Sequence, residues 1–315
     1  MDYSVAIRTL GRAGHKYQTL LDSLENQTIK PKEIFVYIAE GYPIPEETIG
    51  IEKYVYVKKG MAAQRALNYD EIKTDYILFL DDDLRLDPET VEKMFAAMLL
   101  NGLDVIAPDI FRNSDRKFVN GAMMMLSARM RPRYLDDGKG YKVMRSAGYS
   151  YRMHILNDVY PSETNAGAAF LCKKKDFLRI NFQDELWLDH VQYALGDDQV
   201  MFYKMHKNGL KVGTWYNHTF IHLDAGDNLN PEKERNLIYS DFRFKTIFWH
   251  RFVYTPESQF YNKLLDFFAI GYAFIFTLLI SVVRLRFDIL SVKLSAMRDG
   301  VRFIQSDEYK NLPKI

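Results

Sequence analysis

The sequence predicts an α/β fold: a doubly wound, mostly parallel mixed sheet flanked by helices, with a helical C-terminal tail. Three observations predict it. Short apolar runs alternate with segments of helical period over the first 110 residues, the pattern of strands joined by crossover helices. One of those runs, Tyr76-Ile77-Leu78-Phe79-Leu80, is apolar on both faces, as a central parallel strand must be. Near the other end, residues 267–283 carry no charge, too apolar for an ordinary surface helix.

Taken in order, residues 3–8 form a first strand, broken at Thr9-Leu10-Gly11-Arg12. Tyr17, Leu20, Leu21 and Leu24 recur at helical spacing. Residues 33–39 form a second buried strand, ending at Glu40-Gly41, and residues 54–57 a third. Residues 61–68 read as a short helix containing Arg65. The apolar run at 76–80 follows and ends in Asp81-Asp82-Asp83. Asp87-Pro88-Glu89 predicts a helix start, Asn101-Gly102 its stop, and residues 104–108 another strand. Residues 112–175 hold thirteen Lys or Arg against five Asp or Glu. That basic insertion is either a solvated surface or a cleft wall facing an anionic ligand. Gly196-Asp197-Asp198 opens a helix that stops at Asn208-Gly209; residues 210–215 and a segment ending near His222 complete the sheet. The predicted organisation is two halves, 1–110 and 111–225, followed by a helical tail at 226–315.

Composition excludes some classes. The 315 residues are 48% hydrophobic and 26% charged, with a net charge of +1, so no global field favours nucleic acid. A single cysteine, Cys172, excludes an intrachain disulfide framework and fits a reducing compartment. Met1-Asp2-Tyr3-Ser4 has no basic n-region, so no secretory signal is expected.

The acidic triplet carries the chemistry. Adjacent carboxylates repel unless a cation compensates them, and open α/β sheets bind ligands at the carboxyl ends of their strands. A hard divalent ion holding phosphates on its other side fits both facts; a solvated Asp-rich turn is the alternative. Asp197 and Asp198 sit where a helix dipole favours carboxylates, so capping is the alternative to catalysis for them.

These motifs, in this order over residues 3–225, resemble the family 2 glycosyltransferases of the GT-A fold. Gly60 to Asn68 resembles the family's Gly and Ala-Arg-Asn segment, with Arg65 at the arginine; Asp81-Asp82-Asp83 resembles its DxD metal motif; Gly196-Asp197-Asp198 resembles its x-Glu-Asp motif. The resemblance implies an inverting transferase that uses a nucleotide-diphosphate sugar and Mn²⁺ or Mg²⁺. It implies Asp198 as general base, Asp81, Asp83 and His222 as metal ligands, and Thr9, Arg12, Glu40, Arg65, Asp81 and Asp82 as donor ligands. Asp197 and Trp187 would meet the acceptor, Trp187 by stacking on a sugar ring unless it is a core aromatic. The sequence departs from the family where Ile38 and Ala39 replace two acids at the end of the second strand, leaving Glu40 to inherit their role. It also lacks Gln-x-x-Arg-Trp, so one sugar per acceptor is implied.

Two other classes fit parts of the pattern: a haloacid-dehalogenase-type phosphatase, through Asp81-x-Asp83, and a non-catalytic sugar-binding scaffold. The apolar run near the C-terminus predicts a helix or hairpin lying in the inner leaflet, with basic residues on anionic headgroups. It would hold the active site at the cytoplasmic face of the membrane, near a glycan or polyprenyl-lipid-linked acceptor. A core helix or a dimer contact is the alternative.

Overall fold

The computed structural model describes residues 2–110, 125–128, 137–150, 152, 155–223 and 230–315. Much of the basic insertion at 112–175 therefore lies outside the described residues. The strands are β1 (Tyr3–Thr9), β2 (Ile34–Ala39), β3 (Glu52–Val57), β4 (Tyr76–Asp81), β5 (Leu84–Arg85), β6 (Val105–Pro108), β7 (Lys142–Val143), β8 (Tyr149–Ser150), β9 (Val159–Ser162), β10 (Ala169–Lys173), β11 (Val212–Trp215) and β12 (Ile221–His222). The helices are α1 (His15–Glu25), α2 (Thr90–Leu100), α3 (Lys174–Arg179), α4 (Asp197–Lys207), α5 (Pro231–Phe248), α6 (Phe260–Val283), α7 (Phe287–Gln305) and α8 (Asp307–Lys310). A 3-10 segment covers Phe182–His190 and a π-helical turn, Trp249–Tyr254, continues α5.

Among the described residues eight strands form one sheet in the order β3-β2-β1-β4-β10-β6-β11-β9. The first four are parallel; β10 runs antiparallel between β4 and β6, β11 is parallel to β6, and β9 is antiparallel to β11. This is the doubly wound, mostly parallel sheet the sequence predicts. Strands from before and after residue 110 interleave in it. Alternate residues of β4 serve two cores: Ile77 and Phe79 pack into one, Leu78 and Leu80 into the other. That is why the run is apolar without a break.

Two local expectations need correction. Residues 61–66 are turns rather than a helix; Asp189 accepts from the amides of Ala62 (3.0 Å) and Ala63 (2.8 Å), which holds the segment in place of a longer helical ladder. The helix expected at Asp87 begins at Thr90.

The 3-10 segment is anchored by a buried carboxylate. Glu185 accepts two hydrogen bonds from Arg251 (2.8 and 3.0 Å), one from Lys204 (3.0 Å) and one from the Trp187 indole (2.7 Å). Burial opposes its charge, but Arg251, Lys204 and Trp187 prevail and hold it below the ordinary carboxylate range. One side chain thus ties together the 3-10 segment, α4 and the π-helical turn.

Candidate active site

The parallel register of β1 and β4 sets Arg8 directly beside Asp81. Arg8 Nε lies 2.5 Å from Asp81 Oδ1 and Nη2 lies 3.2 Å from Oδ2. Its Nη1 reaches Asp197 at 3.2 Å. Burial works against the guanidinium charge, but Asp81 and Asp197 overcome it and Arg8 stays protonated. One arginine therefore spans the acidic triplet and the acidic pair. Each Asp81 oxygen accepts from Arg8, whereas the sequence placed Asp81 in a metal group.

Asp82 accepts from the Thr9 hydroxyl. Burial pushes its carboxyl up to about 6, against the pull of Thr9 and with Asp81 and Asp83 adding to the rise. Asp83 is different. Its Oδ2 is 3.3 Å from His222 Nε2, while its Oδ1 is buried without a hydrogen-bond partner. The antiparallel pair β5–β12 creates this contact by setting His222 opposite Leu84, and Leu223 donates its amide to the Asp83 carbonyl at 2.9 Å.

An orphaned carboxylate oxygen beside an imidazole suits a divalent cation. No group of three or more His, Cys, Asp or Glu is placed to hold a metal among the described residues. Two protein ligands still suffice for an ion completed by phosphates and water, so Asp83 and His222 fit.

Asp197 and Asp198 form the first turn of α4 after Gly196, whose φ of +91° places it in the left-handed region. Asp197 is buried between Arg8 and Arg65, 3.0 Å from Arg65 Nε. It is a support for two arginines, not the acceptor contact expected of it. Arg65 is itself 4% exposed; its Nη2 lies 2.5 Å from Asp198 Oδ1 and 3.1 Å from the Gly167 carbonyl. This corrects the expectation of a phosphate ligand: Arg65 faces inward and holds the two acids. Its contacts with them are ion pairs rather than aligned hydrogen bonds, since Arg65 Nε and Asp198 Oδ1 both lack an aligned partner.

Asp198 keeps 32% of its side chain exposed. Burial pushes its carboxyl up to about 6, Arg65 pulls it back, and Asp197 adds to the rise. A Cβ on Gly167 would collide with Asp198 Oδ1 and with Arg65, so the small residues at 166–169 serve this close approach.

The carboxyl edge of the sheet opens into a cleft of about 910 Å³. Thr9, Arg12, Lys16, Lys59 and Gln64 line it together with Arg8, Asp81, Asp82, Asp83 and Asp189. Arg12 and Lys59 stack on Tyr42, 4.7 and 4.9 Å from its ring centre. The sequence reading missed Arg8, Lys16, Lys59 and Asp189. Only Arg8 had a signal there, as a charged residue closing an apolar strand.

Glu40 is exposed beyond β2 and does not line the cleft, which corrects its role as a donor ligand. Trp187 is 2% exposed and packs on Phe244 and Phe303, with centroids 6.5 and 6.0 Å away. It is a core aromatic, not an acceptor platform.

The model described as Glycosyl transferase family 2 matches residues 44–163. Over those residues the chain is similar to the family 2 glycosyltransferases. The match takes in Arg65 and Asp81 to Asp83, and ends before Asp197, Asp198 and His222. No curated protein matches. Among solved structures, TarS of S. aureus is similar at 15% identity and a TM-score of 0.43, over 79% of this chain and 39% of that one. GalNAc-T7 with UDP, GalNAc and Mn²⁺ is similar at 13% identity and a TM-score of 0.49, over 86% of this chain and 55% of that one. The chain thus spans about half or less of the length of either.

Proposed function

We propose that this protein is a glycosyltransferase that transfers one sugar, with inversion, from a nucleotide-diphosphate sugar to a hydroxyl of a glycan or polyprenyl-lipid-linked acceptor at the cytoplasmic face of the membrane. The observation that carries the proposal is the pairing of Asp198 with the acidic triplet at one sheet edge. Asp198 is partly exposed and held by Arg65, and Arg8 connects its neighbour Asp197 to Asp81.

Asp198 takes the proton from the acceptor hydroxyl. The resulting oxygen nucleophile forms a bond to the anomeric carbon as the bond to the diphosphate breaks on the opposite face. A carboxylate raised to about 6 is ionised at neutral pH yet more basic than an ordinary Asp, as a general base requires. Arg12, Lys16 and Lys59 line the cleft beside Asp81, Asp82 and Asp83 and offer charge-assisted hydrogen bonds to the leaving diphosphate. Asp83 and His222 would hold the divalent ion, which supplies Lewis-acid stabilisation of the leaving group when bound. Thr9 and Asp82 supply polar contacts for the nucleotide.

The phosphatase reading loses ground because Asp81, its nucleophile, has both oxygens on Arg8. The test is a thermal-shift and turnover screen of nucleotide sugars with and without Mn²⁺ or Mg²⁺. A metal-dependent stabilisation by one nucleotide sugar, together with its turnover, is expected. Stabilisation without turnover on any acceptor would leave a binding scaffold. Hydrolysis of simple phosphomonoesters would restore the phosphatase.

A further inference from the structure

The helix α6 leaves most of one side bare; among the described residues, Tyr272 alone of the large side chains exposed there donates a hydrogen bond, to the Leu126 carbonyl at 2.6 Å. Ten large apolar residues on it are exposed, from Phe260 and Tyr261 through Phe268 and Ile275 to Val282 and Val283. All ten fall within one half of the helical circumference at 3.6 residues per turn. The opposite half carries the buried positions Asp266, Ile270, Ala273 and Ser281. At about 200 Å² per large side chain, the bare side amounts to roughly 1,000 Å², against the few hundred Å² a soluble monomer ordinarily exposes.

We propose that α6 lies in the plane of a lipid bilayer, its bare side in one leaflet and its back on the catalytic domain. Three observations select this occupant. The most apolar stretch of α6 reaches a hydropathy of 2.1, the level of a membrane segment, whereas protein interfaces are only slightly more apolar than ordinary surface. The back of the helix is bonded to the domain. Arg145 reaches the buried Asp266 at 2.5 Å, the Trp249 indole donates to the Asp266 carbonyl at 3.1 Å, and Lys293 donates to the Thr277 carbonyl and to Ser281 Oγ at 2.9 and 2.8 Å. A spanning helix would break these bonds and carry Asp266 into hydrocarbon without its partner, which is costly. Exposed Arg284 follows directly on the bare side, placed for anionic headgroups.

The structure also changes which basic residues serve the membrane. Arg286 is engaged by Glu234 and Asp288, and Lys293 by α6 itself, so neither is placed as a headgroup ligand. Attachment is therefore mainly apolar and resists salt. This deepens the proposed location of the enzyme, but the docking is independent of the reaction.

The test uses full-length protein and flotation with vesicles of neutral phosphatidylcholine, with or without anionic phosphatidylglycerol. Binding to both is expected, stronger with the anionic lipid and retained in high salt. The double variant Phe268→Glu, Ile275→Glu should lose vesicle binding at least tenfold while keeping turnover in detergent on a soluble acceptor. Leu100→Glu, on exposed α2, should change neither. Ser258→Cys and Arg284→Cys, at the exposed residues flanking the apolar side, should both react with a membrane-impermeant maleimide added to the side bearing the catalytic domain; Cys172 is buried and stays silent. Reaction at only one of the two positions would establish a span and overturn the proposal. A monodisperse protein that ignores vesicles, or a dimer dissolved by the double variant, would overturn it in favour of a soluble surface or a second copy. Loss of turnover with intact flotation would count against the assigned reaction and leave the docking standing.

Discussion

Replacing Arg8 by glutamine removes the cation between two groups of acids. The guanidinium meets Asp81 at 2.5 and 3.2 Å and Asp197 at 3.2 Å. Removing one partner of a buried ion pair costs about 3–5 kcal/mol, because the other charge stays buried. Two features reduce that here: Arg8 keeps a fifth of its side chain exposed, and Asp197 retains Arg65. A loss of about 2–3 kcal/mol follows, at or below the lower end of that range, read as a lower urea midpoint at unchanged slope. Arg8 also lowers the Asp198 pKa, so its removal raises that pKa above about 6. A general base works deprotonated. The limb of kcat/KM that falls as pH drops through about 6 should therefore move to higher pH, and turnover at pH 7 should fall roughly tenfold or more. Arg8→Lys should restore part of the stability, since it keeps the charge but not the fork that grips Asp81. The assay is donor kcat and KM from pH 5.5 to 8.5 beside urea melts of the three proteins. A glutamine variant with the wild-type pH limb and turnover would refute the reasoning, whatever its stability.

The remaining predictions concern single sites. Asp83→Asn and His222→Ala should each weaken metal-dependent donor binding by calorimetry, while metal-free nucleotide binding changes little. Asp198→Asn should keep donor affinity within a few fold and lose about 10²–10⁴ in turnover, the range of a general base; donor binding lost in parallel would make Asp198 a positioning group. Gly167→Ala should lower kcat with near-normal folding of the distant tail, because the added methyl displaces Asp198 and Arg65; wild-type kcat would show that their close approach is dispensable. Trp187→Ala should cost about 3–5 kcal/mol as a core cavity without raising acceptor KM in the folded fraction, and a selective rise in acceptor KM would return Trp187 to the acceptor site.

Local sequence determined a good deal of this protein by itself. The unbroken apolar runs of β2 and β4 read as central strands, because both faces of each must be covered. A carboxylate triplet closing β4 marked the edge where a ligand binds, since strand ends in such sheets face the crevice. The glycine and acids opening α4 were likewise legible, as was the bare helix near the C-terminus. What the tertiary structure decided was the partner of each charge. Arg8 and Asp197 are 189 residues apart, and no local pattern ranks one arginine above another for such a contact. Parallel register put Arg8 on Asp81, the β5–β12 pair put His222 on Asp83, and the absent side chain of Gly167 let Arg65 reach Asp198. Trp187 and Asp197 were chosen from the sequence for chemistry that needs an open surface, and both are buried. Residue type and spacing record what a side chain can do; burial and pairing depend on segments arriving from elsewhere in the chain, and those settle whether it remains free to do it.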